Sequence, residues 1–229
     1  MAKVKVTAEY KGHPVLVGEH TEFAYNEKHL ENNLQLMKSI TDRHNKVYSW
    51  RMDLRMPDEV ELDKPPKQVA CNFMSSFCKK LARRKIDSEY IMKMEKETSE
   101  NEHFHIQMFV NGSKVKDHKE IVEEGEALLA KQLGLPEPNN GLLEYKNIGK
   151  KKKSQDHNTQ EYNQEDEKKK GKRNGIKLYR NLPSFEKNFD RCFKEGSYLA
   201  KQRPTDKVDP DERKVCYSLF RNKRSRSSK

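Results

Sequence analysis

Two short stretches of the 229-residue chain carry residue types spaced for chemistry. The first is His103-Phe104-His105-Ile106-Gln107-Met108-Phe109-Val110, closed by Asn111-Gly112. Read as a β-strand, it places His103, His105 and Gln107 on one face and Phe104, Ile106, Met108 and Val110 on the other. The imidazoles then stand about 7 Å apart along the strand, close enough to share one metal ion. Two solvent-facing histidines without a metal are the alternative. A polar loop, 96–102, joins this strand to a preceding one ending at Glu95, which brings Glu95 beside the histidines as a candidate third ligand. Glu97, Glu100 and Glu102 lie in the same loop, and spacing does not choose among them.

The second stretch is a helix predicted from Pro183-Ser184 to about Lys201, with Ser184 as N-cap. On a wheel of about 100° per residue, Phe185, Phe189, Cys192, Phe193, Gly196, Leu199 and Ala200 share one side. Tyr198 falls nearly opposite, among Lys187, Arg191, Lys194 and Lys201. Tyr198 and Lys201 are three apart and so are neighbours on a helix. A tyrosine hydroxyl beside fixed cations suits a phosphodiester; a surface tyrosine packed on lysine stems is the alternative.

These stretches need a frame. Leu30, Leu34, Met37, Ile40 and Thr41 predict a helix over 27–46. Val47 to Met56 alternates, with Tyr48, Trp50, Met52, Leu54 and Met56 on one face and Ser49, Arg51, Asp53 and Arg55 on the other. Arg51 and Arg55 are candidate nucleic-acid contacts, as are Lys187, Arg191 and Lys194. A helix over 66–86 follows, with Val69, Phe73, Phe77 and Leu81 as its stripe and Cys71 and Cys78 as small core residues. Lys79, Lys80, Arg83, Arg84 and Lys85 suit its C-terminal dipole. A strand over 89–95, a helix over 117–134, and short strands near 141–148, 176–179 and 215–220 complete the frame. Residues 1–26 read as an N-terminal arm or edge strand. Gly149 to Gly175 contains no Leu, Ile, Val, Phe, Met or Trp and holds two lysine runs. It is predicted to be a disordered basic insertion inside a domain spanning 27–220, touching nucleic acid non-specifically. A basic tail occupies 221–229.

Hydrophobic residues make up 33% of the chain and charged residues 36%, with a net charge of +11. That balance points to a polyanionic partner, nucleic acid first and an anionic membrane surface second. Four cysteines without a Cys-x-x-Cys pair argue against a zinc finger. The absence of a signal peptide and of a long apolar run predicts a soluble, cytoplasmic protein without a membrane partner.

Metal-spaced histidines on a strand followed by a Tyr-x-x-Lys resemble the HUH endonucleases. The block His103 to Gly112 resembles the "HYH…LLLN" block of the inovirus-type replication protein family, also called the YagK/YfjJ C-terminal domain family. Ser197-Tyr198-Leu199-Ala200-Lys201 is similar to its "SYLAK" block, and Trp50 to Pro57 resembles its first strand, "FRFDLHLP". The resemblance covers residues 30 to 205. Met92, Lys93 and Met94 precede Glu95 where the family often has Trp and Arg, and the segment between Ile148 and Ile176 looks inserted.

The resemblance implies an α+β fold, a central antiparallel sheet of about five strands flanked by helices. It implies Mg²⁺ or Mn²⁺ held by His103, His105 and an acid, Glu95 first and Asp53 second. It implies Tyr198 as nucleophile, helped toward phenolate character by Lys201 and the metal, forming a 5′-phosphotyrosine and freeing a 3′-OH. The implied role is a rolling-circle replication initiator of a filamentous phage, prophage or plasmid, acting on single-stranded DNA at an origin in a bacterial cytoplasm. No Gly-x-x-x-x-Gly-Lys-Ser/Thr loop occurs, so unwinding would fall to a host helicase, and extension to a host polymerase. A non-catalytic DNA-binding regulator is the alternative from another class. A relaxase or transposase ranks lower, because relaxases commonly carry three clustered histidines.

Overall fold

The computed structural model describes residues 3–5, 8–17, 24–57, 60–95, 103–115, 117–136, 141–146, 175–202 and 215–218. The basic tail and nearly all of the lysine-rich segment lie outside them.

The alternating stretch forms a long strand, β5 (Lys46–Arg55), and the histidine stretch forms β7 (His103–Asn111). Between them in sequence come α2 (Pro66–Arg83) and β6 (Ser88–Glu95). β7 pairs antiparallel with β6 on one side and β5 on the other. A short edge strand, β11 (Val215–Tyr217), pairs with β6. Two more strands, β8 (Leu143–Lys146) and β9 (Ile176–Tyr179), both pair with β5. The result is a six-stranded antiparallel sheet formed by the six stretches that read as strands in the sequence, where the resemblance implies about five.

Strand alternation divides two cores. Tyr48, Trp50, Met52 and Leu54 of β5 and Phe104, Ile106, Met108 and Val110 of β7 are buried with Phe73, Met74, Phe77 and Leu81 of α2. Ile121, Val122 and Leu129 of α3 (His118–Gln132) join them. The opposite face buries Val47, Ile91 and Phe109 against α1 (Glu27–Arg43) and α4 (Phe185–Ser197). The expected fold class, an antiparallel sheet between helices, is therefore observed. Cys71 and Cys78 pack against the first core half-buried, and Cys71 Sγ lies 3.0 Å from Cys216 Sγ. Part of the basic cluster at the end of α2 meets acids of α3: Arg84 contacts Glu120 at 2.6 Å, and Lys80 contacts Glu124 at 3.3 Å.

The described amino-terminal residues, 3–5 and 8–17, are built into the fold. β1 (Lys3–Lys5) pairs with β4 (Ala24–Asn26), and β4 pairs in turn with β10 (Lys201–Gln202). A hairpin of β2 (Glu9–Tyr10) and β3 (His13–Pro14) packs on α4, where His13 Nδ1 lies 2.8 Å from Asp190. Asn26 caps α1, its side chain accepting from the His29 amide.

β8 and β9 occupy one edge of β5 end to end. Lys146 lies opposite Arg51, and Ile176 lies opposite Ser49. A continuous strand would need one residue there, facing Trp50; the chain instead has residues 147–175. Gly175 makes the re-entry with φ 125, and a Cβ on it would lie 2.6 Å from the Ser49 carbonyl. Replacing 147–175 by one threonine is expected to give a cooperatively folded protein. Shortening the connection that joins the ends of β8 and β9 favours the folded state by up to about 3 kcal/mol. Urea melts check this; loss of cooperative unfolding would mean that the segment contributes to the sheet.

His29 predicts the acid limb of stability. It is half-buried beside the Tyr217 hydroxyl, and burial, then the charges of Lys93 and Lys28, push its imidazole down to about 4. The unfolded chain therefore takes up this proton first as pH falls below the ordinary value of 6.5. Stability is full above 6.5 and is lost between 6.5 and 4, by roughly 3 kcal/mol for this group. In urea melts at pH 7 and pH 4.5, His29→Gln is expected to flatten that slope relative to the parent.

Candidate active site

The sheet register alone sets out the site. On the α1/α4 face, Lys93, His105 and Asp53 form one cross-strand row, and Glu95, His103 and Arg55 form the next. His105 is gripped from both sides. Its Nδ1 lies 2.7 Å from Asp53 Oδ1 and its Nε2 lies 3.0 Å from Glu95 Oε2. A carboxylate only accepts, so Nδ1 carries hydrogen toward Asp53. Nε2 and Glu95 Oε2 then face each other as two acceptors unless a proton or another cation lies between them. Burial pushes the His105 imidazole down, but the bonds to Asp53 and Glu95 outweigh it and raise its pKa. Burial pushes the Glu95 carboxyl up, yet the His105 bond and the Lys93 charge hold it far below the carboxylate range.

This pair fits a divalent ion. Ligands at about 2.1 Å on adjacent corners of an octahedron are about 3.0 Å apart, which is the separation of His105 Nε2 and Glu95 Oε2. Asp53 behind His105 is the outer carboxylate that commonly fixes a ligating imidazole. His103 lies across from Glu95, its ring centroid 6.0 Å from that of His105. Among the described residues, no group of three or more His, Cys, Asp or Glu side chains is arranged to hold a metal ion.

Tyr198 reaches the site from α4 by a change of backbone geometry. The helix ends at Ser197, whose hydroxyl accepts from the Leu16 amide at 2.9 Å and donates to the Lys194 carbonyl at 2.7 Å. Tyr198–Ala200 is a 3₁₀ turn, and Lys201 is already extended, paired with Tyr25. Tyr198 is thereby aimed at the sheet. Its hydroxyl donates to Glu95 Oε2 at 3.2 Å, and its ring lies edge-on to His105 with centroids 5.5 Å apart. The Arg51 guanidinium stacks 4.3 Å from the Tyr198 ring centroid. Burial and the Glu95 charge, opposed by Arg51, push the phenol up to about 12.

Close approach of α4 depends on Gly196. A Cβ there would lie 2.2 Å from Gln107 Oε1 and 2.5 Å from Asn33 Nδ2, both in the buried layer under the helix. Gly196→Ala is expected to cost about 1–3 kcal/mol by overpacking. Thermal melts check this, with little change as the contrary result.

His105, Glu95, Asp53, Tyr198 and Arg51 are thus brought together, with His103 adjoining. Two expectations are corrected. The cations over the Tyr198 ring come from the sheet, Arg51 and Lys93, rather than from Lys187, Arg191 and Lys194 of α4. Lys187 is exposed, and Arg191 and Lys194 are half-buried on α4. Nor is Tyr198 drawn toward phenolate by Lys201 in the protein alone, since burial and Glu95 dominate. Lys201 is half-buried, its own pKa lowered by burial against the pull of Glu95. Arg55 is exposed and pairs with Glu144 at 3.3 Å. Ser184 precedes α4 without a side-chain capping bond. The residue missed in sequence is Lys93, although its place two before Glu95 puts it on the same face.

No helix among the described residues is long and apolar enough to cross a membrane. No curated protein matches the chain. Among solved structures, the chain is similar to the catalytic domain of the Adeno Associated Virus type 5 Rep protein. The TM-score is 0.33 and the identity 15%, over 45% of this chain and 70% of that one. Residues 10–134, more than half of the sequence, match the YagK/YfjJ C-terminal domain, and the chain belongs to that family.

Proposed function

We propose that the protein nicks and rejoins single-stranded DNA through Tyr198, as the replication initiator of a filamentous phage, prophage or plasmid. One observation carries this reading: Glu95 Oε2 receives the Tyr198 hydroxyl at 3.2 Å and faces His105 Nε2 at 3.0 Å. A nucleophile-type hydroxyl and a ligand-type imidazole converge on one carboxylate oxygen, beneath Arg51, in a chain of net charge +11.

In this reaction the phenol oxygen bonds to phosphorus, and the bond from phosphorus to the 3′ oxygen breaks. The electron pair leaves with the 3′ oxygen, which takes up a proton, while the phenol gives one up. The products are a 5′-phosphotyrosine and a free 3′-OH. One phosphoester replaces another, so the reverse step reseals the strand, and the 3′-OH can prime a polymerase. His105 and Glu95, joined by His103 once it turns toward them, would hold Mg²⁺ or Mn²⁺, which when bound polarises the phosphoryl oxygens and orients the scissile phosphate. Arg51, beside the Tyr198 ring, offsets the charge that develops on the phosphoryl group. Single-stranded or extruded DNA is the substrate because the phosphate must reach the sheet face. An origin strand, a host helicase, a host polymerase and a bacterial cytoplasm belong to this reading.

The test is an adduct assay. Labelled single-stranded oligonucleotides tiling the DNA around the gene are mixed with the protein in Mn²⁺ or EDTA and run on a denaturing gel. A metal-dependent covalent band, mapped to Tyr198 by mass spectrometry, is expected on one tile. No band on any tile, with DNA binding intact and insensitive to EDTA, would instead assign a non-catalytic DNA-binding role.

A further inference from the structure

Lys93 is a buried lysine, 3% exposed, two residues before Glu95 on β6 and therefore on the same face of the strand. Its ammonium donates to Glu95 Oε1 at 3.1 Å and to the Lys201 carbonyl at 2.8 Å. It also lies 5.9 Å from the Tyr198 ring centroid. Burying an ammonium is costly unless acceptors surround it, and here two acceptors come from different parts of the site. One is the carboxylate shared with His105; the other is the backbone that leaves the Tyr198 turn.

The two oxygens of Glu95 are thereby distinguished. Oε1 is taken by Lys93, and Oε2 is presented to His105 and Tyr198. Without the Lys93 bond the carboxylate could turn about its terminal torsion, which is soft for glutamate. The carbonyl of Lys201 is the second anchor. β10 is only two residues long and pairs with β4, itself three residues long. A bond from a central strand to this short segment is a brace across the exit of the turn.

We infer that Lys93 is a positioning residue: it fixes the rotation of the Glu95 carboxylate and ties the Tyr198 turn to the strand bearing that carboxylate. Acid and hydroxyl then keep one separation while DNA enters and leaves. The consequence for strand transfer rests on the function proposed above; the brace itself does not. Lys93 acts through Glu95 and Lys201 and has no direct role toward the phosphate.

The experiment uses the full chain with Lys93→Met, which keeps length and packing, and Lys93→Arg, which keeps charge and donors. Hydrogen–deuterium exchange is followed by mass spectrometry in metal-free buffer. Lys93→Met is expected to speed exchange in residues 196–202 by about tenfold with β7 and α2 unchanged, and Lys93→Arg to restore protection. On the tile that yields an adduct in Mn²⁺, single-turnover formation is expected to fall about a hundredfold in Lys93→Met, as a misplaced reacting group costs. The oligonucleotide Kd is expected to stay within about threefold, with rate recovery in Lys93→Arg. Unchanged exchange at 196–202, or exchange rising equally everywhere, would overturn the brace. If Lys93→Met does not fold, Lys93→Gln is measured the same way. If the parent protein makes no adduct, the nicking function fails, and the exchange result still decides the role of Lys93.

Discussion

Tyr198→Phe is expected to form no covalent adduct with DNA at any Mn²⁺ concentration, a loss of about 10⁴-fold or more, as befits removal of a nucleophile. The fold should survive the change. The phenyl ring keeps its place under the Arg51 guanidinium and against His105. The lost hydroxyl bond leaves Glu95 Oε2 still facing His105, so the stability cost is about 1 kcal/mol. Affinity for the oligonucleotide should change little, because the cations and the aromatic face remain. A denaturing gel, a thermal melt and a binding isotherm on the same preparation separate these quantities. An adduct near the parent level would move the nucleophile to another residue and leave Tyr198 as packing for Glu95.

The contrast between what could and could not be read in the sequence follows from the range of the interactions. β5 and β7 were legible because a strand sorts its own neighbours: alternation alone put Trp50, Met52, Phe104 and Ile106 in one core and His105, Asp53 and Arg51 on the other face. The stripes of α1 and α2 were legible for the same local reason. The helical wheel puts Tyr198 away from its observed partners, because contacts far away in the chain set its orientation. Ser197 is held by Leu16, and Lys201 pairs with Tyr25; neither leaves a mark on a helical wheel. All six strands carry local signals, but the sharing of one edge of β5 by β8 and β9 does not, because 29 residues separate them, 147 to 175. Lys93 was hidden by its chemistry. A lysine in a strand normally marks a solvated face, and only the later arrival of Glu95 Oε1 and the Lys201 carbonyl makes its burial tolerable.

Glu95→Ala is expected to damage both stability and reaction, and the two losses have separable causes. Lys93 would keep a buried ammonium without its carboxylate, and breaking one side of a buried ion pair costs about 3–5 kcal/mol. Glu95 is held well below the usual carboxylate range, so its contribution is complete above the unfolded value of 4.5. It is lost as pH falls below that value toward the folded one. Urea melts at pH 7 should therefore show nearly the whole loss, and the gap between parent and variant should narrow in acid. Adduct formation should fall by about 10³-fold or more, since the acid is both a candidate metal ligand and the partner of the Tyr198 hydroxyl. Glu95→Gln should recover part of the stability, because its amide oxygen can still accept from Lys93, while leaving the reaction impaired through loss of charge. The double variant Lys93→Met, Glu95→Ala provides the sharper comparison. With both charges gone, no ion is stranded, and the double variant should be more stable than Glu95→Ala alone. A double variant less stable than either single change would mean that packing, not charge, sets the cost at this position.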